Sequence, residues 1–131
     1  MTPVKNDKTL GENKNIDSKN LVRNFLLNYQ NKLTKQLSIL DGKKNFIEDT
    51  WQRDHLGHGI TRVISNGDYF EQGGVNFSEI HGENPPPSLL GRMPELKNHS
   101  FWGAGVSLVL HPINPFCPTV HLNYRYFEAG P

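Results

Sequence analysis

The sequence predicts an α+β fold, an antiparallel β-sheet flanked by α-helices. Three observations carry that reading. They are a helix-period apolar stripe between Leu21 and Leu40, an Asn-Gly turn signal at Asn66-Gly67, and two alternating segments near the carboxyl end. At 131 residues, 35% of them hydrophobic, the chain suits one domain with a modest core. Residues 1–17 are Asn- and Lys-rich with few apolar side chains. They are expected to form a mobile tail ahead of a domain spanning 18–131. That tail has neither the apolar run of a signal peptide nor the Arg-rich, acid-poor composition of a transit peptide.

The first element is a helix. Val22, Phe25, Leu26, Tyr29, Leu33, Leu37 and Leu40 recur at steps of three and four and fall on one stripe, which is expected to pack on a sheet. Ser18 serves as the expected N-cap, and Asp41-Gly42 as the stop.

After Gly42 short apolar runs alternate with turn residues. Arg62–Ser65, Asn66-Gly67 and Asp68–Phe70 read as a hairpin closed by a type I′ turn, which needs positive φ at both central residues. Gly73-Gly74 is expected to bend or bulge the chain before Val75–Ser78. His81 to Pro94, with its run of three prolines, reads as a surface loop.

The last thirty residues hold the chemistry. Val106, Leu108 and Leu110 alternate with Ser107, Val109 and His111; Val120, Leu122, Tyr124 and Tyr126 alternate with His121, Asn123, Arg125 and Phe127. Period-2 alternation sends the two sets to opposite faces. One face is apolar and suits the helix. The other gathers Ser107, His111, His121, Asn123 and Arg125, or is simply the solvated face that antiparallel sheets commonly carry. A hairpin whose connection is centred near Phe116 places Ser107 opposite Arg125, Val109 opposite Asn123 and His111 opposite His121. Ser107 and His111 then mark a platform roughly 13 Å long, suited to a large, flat, acidic molecule. His55, His58, His81 and His99 lie in loop-like sequence and read as surface residues.

Composition removes other classes. Fourteen basic against thirteen acidic residues give no electrostatic case for nucleic acid or an anionic membrane. No stretch reaches the roughly 20 apolar residues of a membrane span. The single Cys117 excludes an internal disulfide framework and Cys-rich zinc sites, and a reducing, cytoplasmic setting is expected. Cys117 sits between Phe116 and Pro118 in no nucleophile motif, and GxGxxG, Walker, HExxH and GxSxG patterns are absent.

The run Gly105–Pro115 (GVSLVLHPINP), followed by Pro118–Phe127 (PTVHLNYRYF), strongly resembles oxygen-dependent coproporphyrinogen III oxidase. The likeness continues in Glu48–Arg53 (EDTWQR), in Phe70–Ser78 (FEQGGVNFS) and in His81-Gly82, and covers about Asn24 to Phe127. The resemblance implies a broad antiparallel sheet flanked by helices, in a homodimer. It implies oxidative decarboxylation of two propionates of coproporphyrinogen III to vinyl groups, giving protoporphyrinogen IX in porphyrin and haem biosynthesis. Oxygen is the co-substrate and no organic cofactor is used; a divalent metal is claimed for some bacterial members. Carried over residue by residue, the proton-donating histidine is His121, the second histidine and proposed metal partner of His121 is His111, and the substrate contacts are Ser107, Asn123, Tyr124 and Arg125. Tyr124 belongs to the other strand face, so a backbone contact is expected there.

The chain departs from the family pattern twice. His55-Leu56-Gly57-His58-Gly59 stands where most members carry a glycine run that allows close backbone approach. Members are also roughly twice as long. The chain is therefore expected to be the amino-terminal portion of such an oxidase, an active-site wall whose competing readings are a non-catalytic tetrapyrrole-binding module and a structural remnant.

Overall fold

The computed structural model describes residues 13–130, with side chains described from residue 18 onward. The elements run α1 (Asn13–Asp41), β1 (Ile47–Arg53), β2 (Gly57–Ser65), β3 (Phe70–Gly82), α2 (Pro87–Leu90), β4 (Phe101–Pro112) and β5 (Val120–Ala129), with a 3-10 turn at Pro94–Leu96. The strands form one antiparallel sheet in sequence order. The α1 helix covers one face, and the β3–β4 connection carries α2 over the other. Among the described residues no helix is long and apolar enough to cross a membrane.

The α1 helix starts five residues before the expected cap, so Ser18 lies inside it, where its hydroxyl donates to Glu128 Oε1 at 2.9 Å. The part of the expected tail at residues 1–12 lies outside the described residues. Leu26 enters the core with Ile64, Phe70, Val75, Phe77, Trp102, Ala104, Val106, Leu108 and Leu110, while Val22, Leu27, Tyr29, Leu33 and Leu37 pack at its margin. Two members of the predicted stripe do not join: Phe25 is 65% exposed, stacked on Tyr29, and Leu40 is 56% exposed. Their places on the sheet side go to polar residues. Gln30 is buried and donates to the Ile60 and Val75 carbonyls at 2.8 and 2.9 Å, and Thr34 is buried on its own helix, bonded to the Gln30 carbonyl. Arg23 reaches the buried Glu79, which also accepts from Trp102 Nε1 at 2.9 Å. Burial pushes the Glu79 carboxyl up, but those hydrogen bonds outweigh it and hold the group below its ordinary value.

The helix stops where expected: Gly42 has φ +75° and donates to the Ser38 carbonyl at 3.0 Å, a left-handed cap. Asp41 does more than end the helix. Its buried carboxylate accepts the backbone N–H groups of Lys44, Asp68, Tyr69 and Phe70 at 2.9–3.2 Å, tying the helix end to the β2–β3 turn. That capture explains why the hairpin forms but not through a type I′ turn. Asn66 has φ +54°, whereas Gly67 does not take positive φ, and the turn widens so that β3 begins only at Phe70. A Cβ on Gly67 would fall 2.1 Å from Asp41 Oδ1, so glycine is needed there for closeness rather than for handedness.

Gly73 and Gly74 do not bend the chain; they lie in β3 opposite Leu110 and Val109, and the irregularity falls between Phe70 and Gln72. The expected loop after His81 contains the end of β3 and the α2 turn, whose first residue Pro87 fits a helix start.

Candidate functional site

The open face of the sheet, away from α1, is built by alternation. Ser107 on β4 is opposite Asn76 on β3 and Asn123 on β5, so these three share it, and His111, His121 and Arg125 follow at two-residue steps. Tyr124 points the other way, its ring edge-on to Tyr29 at 5.4 Å between centroids, so only its backbone is available to the open face.

The β4–β5 register differs from the expected one by two residues. Ser107 pairs with Asn123 rather than Arg125, Val109 with His121 rather than Asn123, and Gly105 with Arg125. His111 lies beyond the last β4–β5 pair and stands opposite Gln72 on β3, not opposite His121. The cause is the connection. Asn114 accepts the N–H of Phe116 on its side chain at 2.9 Å and that of Cys117 on its carbonyl at 3.0 Å, which centres the loop nearer Pro115 than Phe116. A two-residue slide keeps every side chain on its face, so alternation could not detect it.

The true register gives Arg125 its place. Opposite it stands Gly105, where an added Cβ would lie 3.1 Å from Arg125 Cγ and 2.8 Å from the Tyr124 carbonyl oxygen. The arginine therefore lies across bare backbone, and its Nε donates to Asn123 Oδ1 at 3.2 Å. Gly103 and Gly105 leave the floor of a cleft of about 560 Å³. Ser107, Asn123 and Arg125 line one side of it. Ser78, Ser88 and Arg92 line it as well, and sequence reasoning placed none of these three at the site. Nothing local marks Ser88 or Arg92, because their membership depends on how the β3–β4 connection folds back over the sheet. Ser78 was legible in principle, being on the Asn76 face of β3.

His111 and His121 are exposed and do not line that cleft. They are diagonal neighbours on the face, a relation that puts residues roughly 7–8 Å apart and their Cβ atoms somewhat closer. An ion could reach both, but zinc takes three or four protein ligands. Among the described residues no group of three or more His, Cys, Asp or Glu gathers to hold a metal. The described residues thus offer an ion two imidazoles at this place.

The altered loop sits at the β1–β2 turn. Gly57 has φ +140° and a Cβ there would lie 2.0 Å from the Glu79 carbonyl oxygen, while one on Gly59 would lie 2.4 Å from the Trp51 ring. Leu56 is 55% exposed and His58 lies half-exposed on the helix side, 3.5 Å from Glu79. The chain has glycine at the two positions where a Cβ would not fit, and Leu56 and His58 at positions open to solvent. Cys117 is exposed in the β4–β5 connection.

A family model described as coproporphyrinogen III oxidase matches residues 21–131. The chain is 52% identical over 115 residues to the oxygen-dependent coproporphyrinogen-III oxidase of Prochlorococcus marinus subsp. pastoris, covering 88% of this chain and 34% of that protein. It is 54% identical over 110 residues to the protein of the same name from Prochlorococcus marinus strain SARG, covering 84% of this chain and 32% of that one. The chain thus spans about a third of the length of the curated relatives it matches.

Proposed function

The chain belongs to the coproporphyrinogen III oxidase family, and from that membership we propose that it forms one wall of the active site for oxidative decarboxylation of coproporphyrinogen III. The reading is carried by a single observation: Ser107, Asn123 and Arg125 converge on one cleft whose floor is bare backbone. A flat macrocycle can approach such a floor, and a guanidinium can take a propionate carboxylate in a two-point hydrogen bond.

For each propionate, one hydrogen with its electron pair leaves the carbon next to the ring, carbon dioxide leaves the end of the chain, and a vinyl group forms. Oxygen takes up two electrons and two protons and leaves as hydrogen peroxide. Arg125 holds a carboxylate, Ser107 and Asn123 orient it, and Tyr124 contributes its backbone. His121 moves a proton, imidazole being the side chain that most often serves as a positioned acid or base. We assign oxygen as co-substrate and no organic cofactor. Any divalent ion on His111 and His121 requires ligands from outside the described residues. We further propose a homodimer, which the family resemblance supports, and a cytoplasmic setting, with which the single Cys117 of this sequence agrees.

The test is oxygen uptake and vinyl formation by a full-length oxidase carrying this sequence. His121→Ala is expected to lower kcat by roughly 10²–10⁴-fold with little change in KM. Arg125→Ala is expected chiefly to raise KM. If His121→Ala keeps its turnover while His111→Ala loses both turnover and bound metal, the roles are reversed. The 131-residue chain alone is the binding module if it takes up the substrate without consuming oxygen, and a remnant if it does neither.

A further inference from the structure

The cleft has a second arginine that the sequence resemblance does not assign. Arg92 follows α2, in the connection that crosses the open face, and it lines the same cleft as Arg125 on β5. Its guanidinium makes no hydrogen bond or ion pair among the described residues, so no internal carboxylate occupies it. The two arginines come from different layers, one from the sheet and one from the segment over it. Ser78, Ser88, Ser107 and Asn123 lie along the cleft, and it is lined by no Asp or Glu. Two unopposed cations with hydroxyl and amide groups around them suit a ligand that carries at least two separate carboxylates.

We propose that Arg92 is a substrate-binding residue, holding a second carboxylate of the porphyrinogen while Arg125 holds the first. This rests on the reading that the cleft takes coproporphyrinogen. It adds a basis for discrimination: a tetracarboxylate can engage both arginines from several orientations, whereas a product that has lost two carboxylates has fewer ways to do so. Removing one arginine should therefore blunt the preference for substrate over product.

The probe is coproporphyrin III, the stable fluorescent tetracarboxylate, titrated into the 131-residue chain alongside protoporphyrin IX and the coproporphyrin tetramethyl ester. The wild-type chain is expected to bind coproporphyrin more tightly than either. Arg92→Gln and Arg125→Gln should each weaken coproporphyrin binding by roughly 10-fold or more, the usual worth of a charge-assisted hydrogen bond. They should leave ester binding unchanged, and Arg92→Gln should also narrow the coproporphyrin–protoporphyrin gap. Arg92→Lys, which keeps the charge, should recover part of the loss. Because Arg92 is exposed and makes no internal bond, its variants should melt like wild type. If Arg125→Gln weakens binding and Arg92→Gln does not, the assignment of Arg92 falls and the cleft reading stands. If wild type fails to distinguish coproporphyrin from its ester, the cleft reading falls and this inference with it.

Discussion

Asp41 occupies a position that helix electrostatics disfavour, a carboxylate at the negative end of the α1 macrodipole. Burial also pushes its carboxyl up, yet the backbone N–H groups of Phe70, Tyr69, Lys44 and Asp68 outweigh that and hold it well below the usual carboxylate range. Glu79 is lowered in the same direction. In both cases the unfolded chain takes up protons first as pH falls. The stabilisation is complete above roughly pH 5, where unfolded carboxylates are ionised, and is lost as pH falls toward the lower native values. The denaturant midpoint should be flat near neutrality and decline below about pH 5. Asp41→Asn should lower the neutral plateau by about 2–3 kcal/mol and flatten the acid limb. An unchanged acid limb in that variant would remove Asp41 from the account. The glycines make a second residue-scale expectation. Gly57→Ala and Gly59→Ala should each cost about 2–4 kcal/mol, through strain at Gly57 and crowding against Trp51 at Gly59. Leu56→Gly should stay within about 1 kcal/mol, because Leu56 is largely exposed. Thermal melts of the three variants decide it.

At the scale of elements, alternation made the faces legible. Val106, Leu108, Leu110, Leu122 and Tyr124 turn toward α1, and Ser107, His111, His121, Asn123 and Arg125 turn away, because a two-residue period leaves no other choice. Register was not legible, since it depends on hydrogen bonds inside residues 113–119 that no periodicity encodes. The helix stripe was legible in direction but not in membership: Phe25 and Leu40 fit the period yet lie outside the contact, and Gln30 and Thr34 fill it because backbone carbonyls await them there. Arg92 was invisible for a different reason, as its position is tertiary. Disulfide trapping tests the register directly. With Cys117→Ser removing the native thiol, Ser107→Cys paired with Asn123→Cys should cross-link under mild oxidation faster than Ser107→Cys paired with Arg125→Cys. The opposite order would restore the register centred on Phe116.

For the whole molecule, the two edges of the sheet differ. Strand β1 carries Glu48, Asp49, Gln52 and Arg53, all exposed, and charge on an edge discourages pairing with other chains. Strand β5 exposes Val120, Tyr124, Tyr126 and Phe127 and has no outer partner among the described residues. The 131-residue chain should therefore self-associate through β5. Sedimentation velocity should show mass rising with concentration; a lone monomer with a cooperative melt at every concentration would exclude it. The order of the strands also has a consequence for synthesis. Each strand pairs with its neighbour in the chain, so hairpins can close one after another as the polypeptide leaves the ribosome, β2 on β1, β3 on β2 and onward. The α1 helix, made before the strands, cannot follow that schedule. Helix α1 rests on β3 and β4, so Leu26, Gln30 and Arg23 must wait, unburied, until most of the sheet has been translated. Helix α1 is thus made before the strands it docks on, and until Trp102 emerges the nascent helix is an exposed apolar surface that a chaperone would meet.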